Sequence, residues 1–196
     1  NTSLNYLSGH MESLPDLVRK LALALKSWGA GKRAAPHLLD QQTTKAYFLD
    51  PLVRDRISEL ALYRVTNVDG ARSATTPSGG SVPRFDALLI NLLQELSDGL
   101  FENNTCVTYP MKALLLLTGQ MPAFDSQVKL GLKFGGFSGL SKSQFSLPSN
   151  VDVVDAAKIY SIPYLFGELY ERHRGTFEQA CHMSSQPGLM HYPGRL

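Results

Sequence analysis

Apolar residues recur at helical spacing in several segments that polar loops separate. The clearest case is residues 14–28, where Leu14, Leu17, Val18, Leu21 and Leu25 share one face and Pro15 suits a first turn. Similar patterns predict helices over residues 51–61, 83–96 and 151–181, with Pro163 kinking or dividing the last one. Residues 37–49 show a weaker pattern that is compatible with a short helix.

Residues 109–136 are the stretch around which we expect the chain to be organised. They predict a helix, a tight corner and a second helix. The first helix is apolar nearly all round, which is typical of a buried helix. The corner contains one acid, Asp125, and the second helix carries Lys129 and Lys133 four residues apart, hence on one face.

No segment shows a strong alternating strand pattern, so the sequence predicts an all-α protein of six or seven helices in a single domain. We assign that domain to residues 11–182. Residues 1–10 are set aside as a tag or a flexible N-terminus, and residues 183–196 are predicted to be an irregular tail. Residues 67–81, rich in Gly, Ser and Thr, are predicted to be a long loop.

Composition narrows the class of protein. The chain has 196 residues, 43% hydrophobic and 18% charged, which argues against disorder. A membrane span is not expected, since the longest apolar run covers only residues 113–117. The two cysteines, Cys106 and Cys181, favour a reducing compartment, and we expect a cytoplasmic protein. The formal charge of +2 neither requires nor forbids a polyanionic partner.

Sites for metals and cofactors are not expected. His173, Cys181, His182 and His191 lie close in sequence, but no pair has the spacing of a zinc site. The glycine-containing segment 29–36 lacks the phosphate-binding loop pattern.

Asp125 admits two interpretations. An acid directly before a helix is a common N-cap, worth about 1 kcal/mol, and this alone would account for it. The second interpretation comes from the similarity of the surrounding segment to a known family.

Two segments flank the start of the corner: residues 113–119 (ALLLLTG) and residues 122–128 (PAFDSQV). Together they resemble the second half of the signature of helix-hairpin-helix DNA glycosylases. The resemblance covers about residues 110–134. The resemblance implies an all-α fold in which Asp125 caps a helix and assists base excision. Other parts of the family pattern are absent, among them the iron–sulfur cysteines, since the chain has only two cysteines. Residues 101–108 contain no glycine for a phosphate-binding hairpin, and Val107 stands at the distance of the lysine nucleophile of bifunctional members.

The resemblance therefore implies a protein that binds double-stranded DNA without a cofactor, and that either performs monofunctional base excision or shares the family's fold without its lyase chemistry. Expected nucleic-acid contacts come from the lysines and from the N-terminus of the second helix: Ser126, Gln127, Lys129, Lys133 and Lys142. Aromatic candidates for a base pocket are Tyr109, Phe134, Phe137, Tyr160 and Tyr164.

Two alternatives stay open. In the first, the chain is a non-enzymatic helical interaction module and Asp125 is only a cap. In the second, residues 67–81 or the C-terminal tail bind a protein partner.

Overall fold

The computed structural model describes residues 2–120, 125–134 and 145–183. These ranges are predominantly helical, as predicted, and also contain one β-hairpin. The helices are α1 (Thr2–Leu7), α2 (Leu14–Ser27), α3 (Gln41–Leu49), α4 (Pro51–Leu62), α5 (Val82–Leu100), α6 (Thr108–Thr118), α7 (Ser126–Phe134) and α8 (Val154–Met183). A short 3₁₀ turn at Met11–Ser13 precedes α2.

Local signals account for where several helices begin. The Asp40 carboxylate accepts hydrogen bonds from the amides of Gln42 and Thr43 at the start of α3. The Asp50 carboxylate accepts one from the amide of Leu52, directly after Pro51. Both are N-caps that satisfy amides lacking a helical partner, and the Asp50 cap with its proline confirms the predicted start of α4.

The core lies along α5 and α6. On α5 the buried stripe includes Phe85, Leu89, Leu92, Leu93 and Leu96, all at most 2% exposed. Helix α6 packs against α5, α2 and α4. Its side chains are buried on most sides, so the prediction that this helix is internal is confirmed.

Residues 2–10 pack against the rest of the described fold, which differs from the expectation of a flexible N-terminus at residues 1–10. Tyr6 on α1 is fully buried, and its hydroxyl donates a hydrogen bond of 2.9 Å to the carbonyl of Phe48. The Tyr6 and Phe48 rings also meet edge to face, with centroids 5.6 Å apart. Such a contact requires the segment to be docked against α3.

The strictly all-α prediction is incorrect at residues 64–75, which form an antiparallel hairpin of β1 (Arg64–Val68) and β2 (Ala71–Thr75). Asp69 and Gly70 connect the strands, and both have positive φ. This is the geometry that two-residue hairpin turns favour, and Asp-Gly is a preferred sequence for it. Residues 67–81 are therefore not one long loop.

Helix α8 runs through Pro163 with helical dihedrals, and its non-helical residue is His173 instead. Proline removes one backbone hydrogen bond. The neighbouring side chains of Ile159, Ile162 and Tyr164 are at most 1% exposed, so packing holds this part of the helix against the core. The predicted division at Pro163 is therefore wrong. Helix α5 also extends to Leu100, beyond the predicted helix over residues 83–96.

None of the helices in the described ranges combines the length and hydrophobicity that crossing a membrane requires.

Candidate functional site around Asp125

The corner between α6 and α7 begins at Gly119, whose φ of 70° ends α6 in a left-handed cap. Thr118 reinforces this end, because its hydroxyl donates to the carbonyl of Leu114 and accepts from the amide of Gln120. Residues 121–124 lie outside the described ranges. The chain is described again from Asp125, so the predicted order of helix, corner and helix is present.

Asp125 caps α7. Its Oδ1 accepts hydrogen bonds from the amides of Gln127 at 3.0 Å and Val128 at 3.1 Å. The predicted N-cap is therefore confirmed. These bonds fix the orientation of the carboxylate, and they engage only one of its two oxygens.

The second oxygen faces a lysine. Lys112 Nζ lies 3.6 Å from Asp125 Oδ2, and the lysine side chain is only 8% exposed, against 31% for the aspartate. Lys112 also donates to the carbonyl of Trp28 at 3.4 Å. Its ammonium lies over two aromatic rings, 4.9 Å from the centroid of Tyr109 and 5.8 Å from that of Trp28. Asp125 therefore pairs with a largely buried ammonium and keeps about a third of its own side chain exposed to solvent.

Lys112 and Trp28 are absent from the set of residues predicted from sequence. A signal for Lys112 was present, since it is the one charged residue of α6, a helix predicted to be buried. A buried ammonium needs an anionic or carbonyl partner, and Asp125 is the next acid along the chain. No comparable local signal marks Trp28, which reaches the site from α2.

Tyr109 and the loop after α2 complete this side of the site. The Tyr109 hydroxyl donates to the carbonyl of Trp28 at 3.3 Å. A Cβ on Gly29 would lie 3.2 Å from that hydroxyl, and φ is +98° there, so glycine is favoured. Burial raises the pKa of Tyr109, and the negative charge of Asp125 raises it further. Trp28 itself is 41% exposed.

Basic side chains lie on two of the elements that contribute to the site. Lys32 and Arg33 are exposed on the loop that follows Trp28, and the Lys32 amide bonds to the Gly29 carbonyl. On α7, Lys133 is exposed, and Lys129 lies over the ring of Phe145 at 5.4 Å. Burial lowers the pKa of Lys129, and Asp125 opposes that shift.

The other predicted contact residues are placed as follows. Ser126 and Gln127 are exposed in the first turn of α7. Lys142 lies outside the described residues, as does Phe137. Of the aromatic candidates, Tyr109 is at the site and Phe134 lies at the far end of α7.

Tyr160 and Tyr164 belong to a different part of the molecule. They lie on α8, where the guanidinium of Arg72 covers both rings. The Tyr164 hydroxyl donates to Asp86 at 3.0 Å. These rings tie the hairpin and α5 to α8 and do not line the Asp125 site.

Residues 101–107 join α5 to α6. Asn104 organises this segment, since its amide donates to the Ser97 hydroxyl and to the Cys106 carbonyl. The Val107 side chain is 1% exposed and therefore belongs to the core.

No three or more His, Cys, Asp or Glu side chains within residues 2–120, 125–134 and 145–183 are arranged to hold a metal ion. Comparison with known proteins finds no matching family model, no matching curated protein and no matching solved structure.

Proposed function

We propose that this protein binds double-stranded DNA and excises a base by monofunctional hydrolysis, with Asp125 as the assisting carboxylate. The observation that carries the proposal is the geometry of Asp125: Oδ1 is fixed by two amides, while Oδ2 lies in a partly exposed position beside Lys112. A reducing, cytoplasmic location, suggested by the two thiols, belongs to the same proposal.

The proposed hydrolysis requires few protein groups other than this carboxylate. Water supplies a hydroxyl group to C1′ of the deoxyribose, and the base leaves with a proton. Positive charge develops on the sugar as the bond to the base breaks. A preoriented carboxylate stabilises such charge without reorganising during the reaction. Since the capping amides engage Oδ1, Oδ2 is the oxygen that would face the sugar.

The surrounding charges support a polyanionic partner. Lys32 and Arg33 are exposed on the loop that follows Trp28, and Lys129 and Lys133 lie on α7, the helix that Asp125 caps. Phosphate contacts from such residues position a duplex without reading its sequence. The amides at the N-terminus of α7 are already bonded to Asp125, so we assign phosphate binding to the lysines.

The decisive experiment separates the charge of Asp125 from its capping role. Asparagine caps helices about as well as aspartate, so Asp125→Asn should keep the fold and lose base release by about 10²-fold or more. Release is measured in single turnovers on duplexes carrying damaged or mismatched bases, followed by alkaline strand cleavage.

Asp40→Asn is the matched control, because Asp40 also caps a helix through two amides. It should leave base release unchanged. If folded Asp125→Asn protein releases bases as fast as the wild type, Asp125 is not the assisting group.

DNA binding is tested separately. Lys129→Ala combined with Lys133→Ala should weaken duplex binding and reduce the slope of log K against log salt by about 2. The exposed lysines Lys20 and Lys45 lie on α2 and α3, and their double alanine variant is the control. Absence of duplex binding by the wild type at low salt would contradict the proposal.

A second candidate function, a non-enzymatic helical interaction module, is favoured by one observation. The two capping bonds of Asp125 account for its presence without chemistry. In that case Asp125→Asn and the wild type behave alike, and neither releases a base.

A further inference from the structure

Lys112 places a positive charge beside the oxygen of Asp125 that would face the sugar. Its ammonium lies 3.6 Å from Oδ2, while the amides of Gln127 and Val128 bond to Oδ1. A cation that develops on the sugar would have to approach this same oxygen. Two positive charges therefore compete for one carboxylate oxygen.

The position of the ammonium is fixed from two helices. Lys112 and Tyr109 belong to α6, and the Tyr109 ring lies 4.9 Å from the ammonium. At the end of α2, the carbonyl of Trp28 accepts a hydrogen bond from Lys112 at 3.4 Å. The Lys112 side chain is only 8% exposed, and salt screens a buried charge much less than an exposed one. We therefore expect the positive charge to stay beside Oδ2 when a substrate arrives.

Burial also argues against direct contact between Lys112 and the substrate. A group that gives a proton to the leaving base must lie within hydrogen-bonding distance of that base. Asp125 is 31% exposed and is the more accessible member of the pair. Lys112 therefore acts on the reaction through its charge.

The size of this effect follows from distances. A sugar cation in contact with Oδ2 would lie about 3–4 Å from this oxygen, the usual separation of reacting groups. Its distance from the Lys112 ammonium is then at most about 7–8 Å, since 3.6 Å separates the ammonium from the same oxygen. Coulomb energy falls with the inverse of distance, so repulsion from Lys112 offsets about half of the attraction to Oδ2 or more.

We propose that Lys112 is a counter-charge that weakens the stabilisation of the sugar cation by Asp125 and thereby slows base excision. The ion pair stabilises the fold, and the same pairing limits the chemistry. Removing the charge should change stability and rate in opposite directions, a trade-off that is common at functional sites. This inference rests on the proposed base excision and deepens it by naming a residue that sets its rate.

The first test measures binding to two duplexes that differ in one charge. One carries a pyrrolidine nucleotide, whose ring ammonium mimics the sugar cation, and the other carries the uncharged tetrahydrofuran nucleotide. Lys112→Met should raise the preference for the pyrrolidine duplex at least fivefold. The preference is a ratio of two Kd values, so a general change in DNA affinity or in the folded fraction cancels. An unchanged or smaller preference would overturn the proposal.

The second test measures base release in single turnovers with saturating protein, so that binding does not enter the rate. Lys112→Met should release bases about tenfold faster than the wild type. Lys112→Gln keeps an N–H donor for the Trp28 carbonyl and should also be faster. A merely structural role predicts slower release when the site is loosened, so unchanged or slower release by the folded variants would contradict the counter-charge.

Lys158→Met is the matched control for both tests. Lys158 also pairs with an aspartate, Asp155 on α8, at 3.4 Å. This substitution removes a positive charge from a different helix and should change neither the duplex preference nor the rate. An equal effect of Lys158→Met would show that net charge, and not the position of Lys112, is responsible.

The outcomes separate this inference from the function beneath it. If the wild type binds duplex DNA and releases bases but Lys112→Met changes neither readout, only the role of Lys112 is wrong. If the wild type binds no duplex DNA, both proposals are wrong.

Discussion

The two carboxylate oxygens of Asp125 have different partners. Oδ1 bonds to the first amides of its own helix, an arrangement that neighbouring residues alone produce. Oδ2 meets Lys112, which a helix and a corner separate from it in sequence. The cap was predictable from an acid placed before a helical pattern. The ion pair was not, because it depends on how closely α6 and the start of α7 approach each other.

A double-mutant cycle measures this ion pair. Lys112→Met keeps most of the buried stem and removes the charge. It should lower the free energy of unfolding by about 1–2 kcal/mol, since Asp125 loses its cation and the Trp28 carbonyl keeps only the Tyr109 hydroxyl as a donor. Combined with Asp125→Asn, the cycle should give a coupling energy of about 0.5–1 kcal/mol, because Asp125 is partly exposed to water. Urea unfolding supplies all four values.

The control is the pair Lys158 and Asp155 on α8, with 3.4 Å between the charged atoms and a lysine that is 41% exposed. The same substitutions there should give a coupling energy below about 0.5 kcal/mol. A coupling at Lys112 and Asp125 no larger than this would show that burial of the lysine does not strengthen the pair.

At the scale of elements, the contact between the hairpin and α8 depends on Gly167. A Cβ at this position would lie 2.5 Å from the carbonyl oxygen of Val65 on β1. At Gly167 the backbones of β1 and α8 therefore approach each other more closely than a residue with a Cβ atom would permit. Asp69 and Gly70 are a sequence that favours a hairpin turn. The strands on either side were not predicted because apolar and polar residues alternate only weakly there.

Gly167→Ala should destabilise the protein by about 1–3 kcal/mol, because β1 must move away from α8. Gly175→Ala on the same helix is the control, since its Cβ would meet nothing within 4 Å. That variant should be neutral or more stable by up to about 1 kcal/mol through helix propensity. Thermal and urea unfolding check both, and equal effects at the two positions would contradict the close approach.

At the scale of the whole molecule, the N-terminal helix closes the core against α2, α4 and α6. Tyr6 is the residue that anchors it, with its ring against Phe48 and its hydroxyl on the Phe48 carbonyl. A short segment with few apolar residues gives little sign of such a role. The packing of α1 could not be predicted from hydrophobic periodicity, because this helix has only six residues.

Tyr6→Ala should cost about 3–5 kcal/mol of unfolding free energy, the usual loss for a buried aromatic side chain. Tyr6→Phe keeps the ring and removes the hydrogen bond to Phe48, so it should cost only about 1 kcal/mol. Urea unfolding distinguishes them. Should Tyr6→Ala be as stable as Tyr6→Phe, residues 2–7 would not belong to the folded core.

The sequence by itself determined the features that rest on neighbours within a few residues. Apolar residues at intervals of three and four identified α2, α4 and α5, and a segment that is apolar nearly all round identified α6. The acid Asp125 marked the start of α7. These features follow from hydrogen bonds and side-chain contacts inside one or two helical turns, which composition and spacing encode directly.

Only the tertiary structure decided the surroundings of Asp125. Trp28 lies 84 residues before Lys112, yet its carbonyl and ring hold the ammonium that faces the acid. The continuity of α8 through Pro163 likewise depends on packing against the core. Such contacts join distant segments through the shape of the packed helices, and no local pattern in the chain records which segments meet.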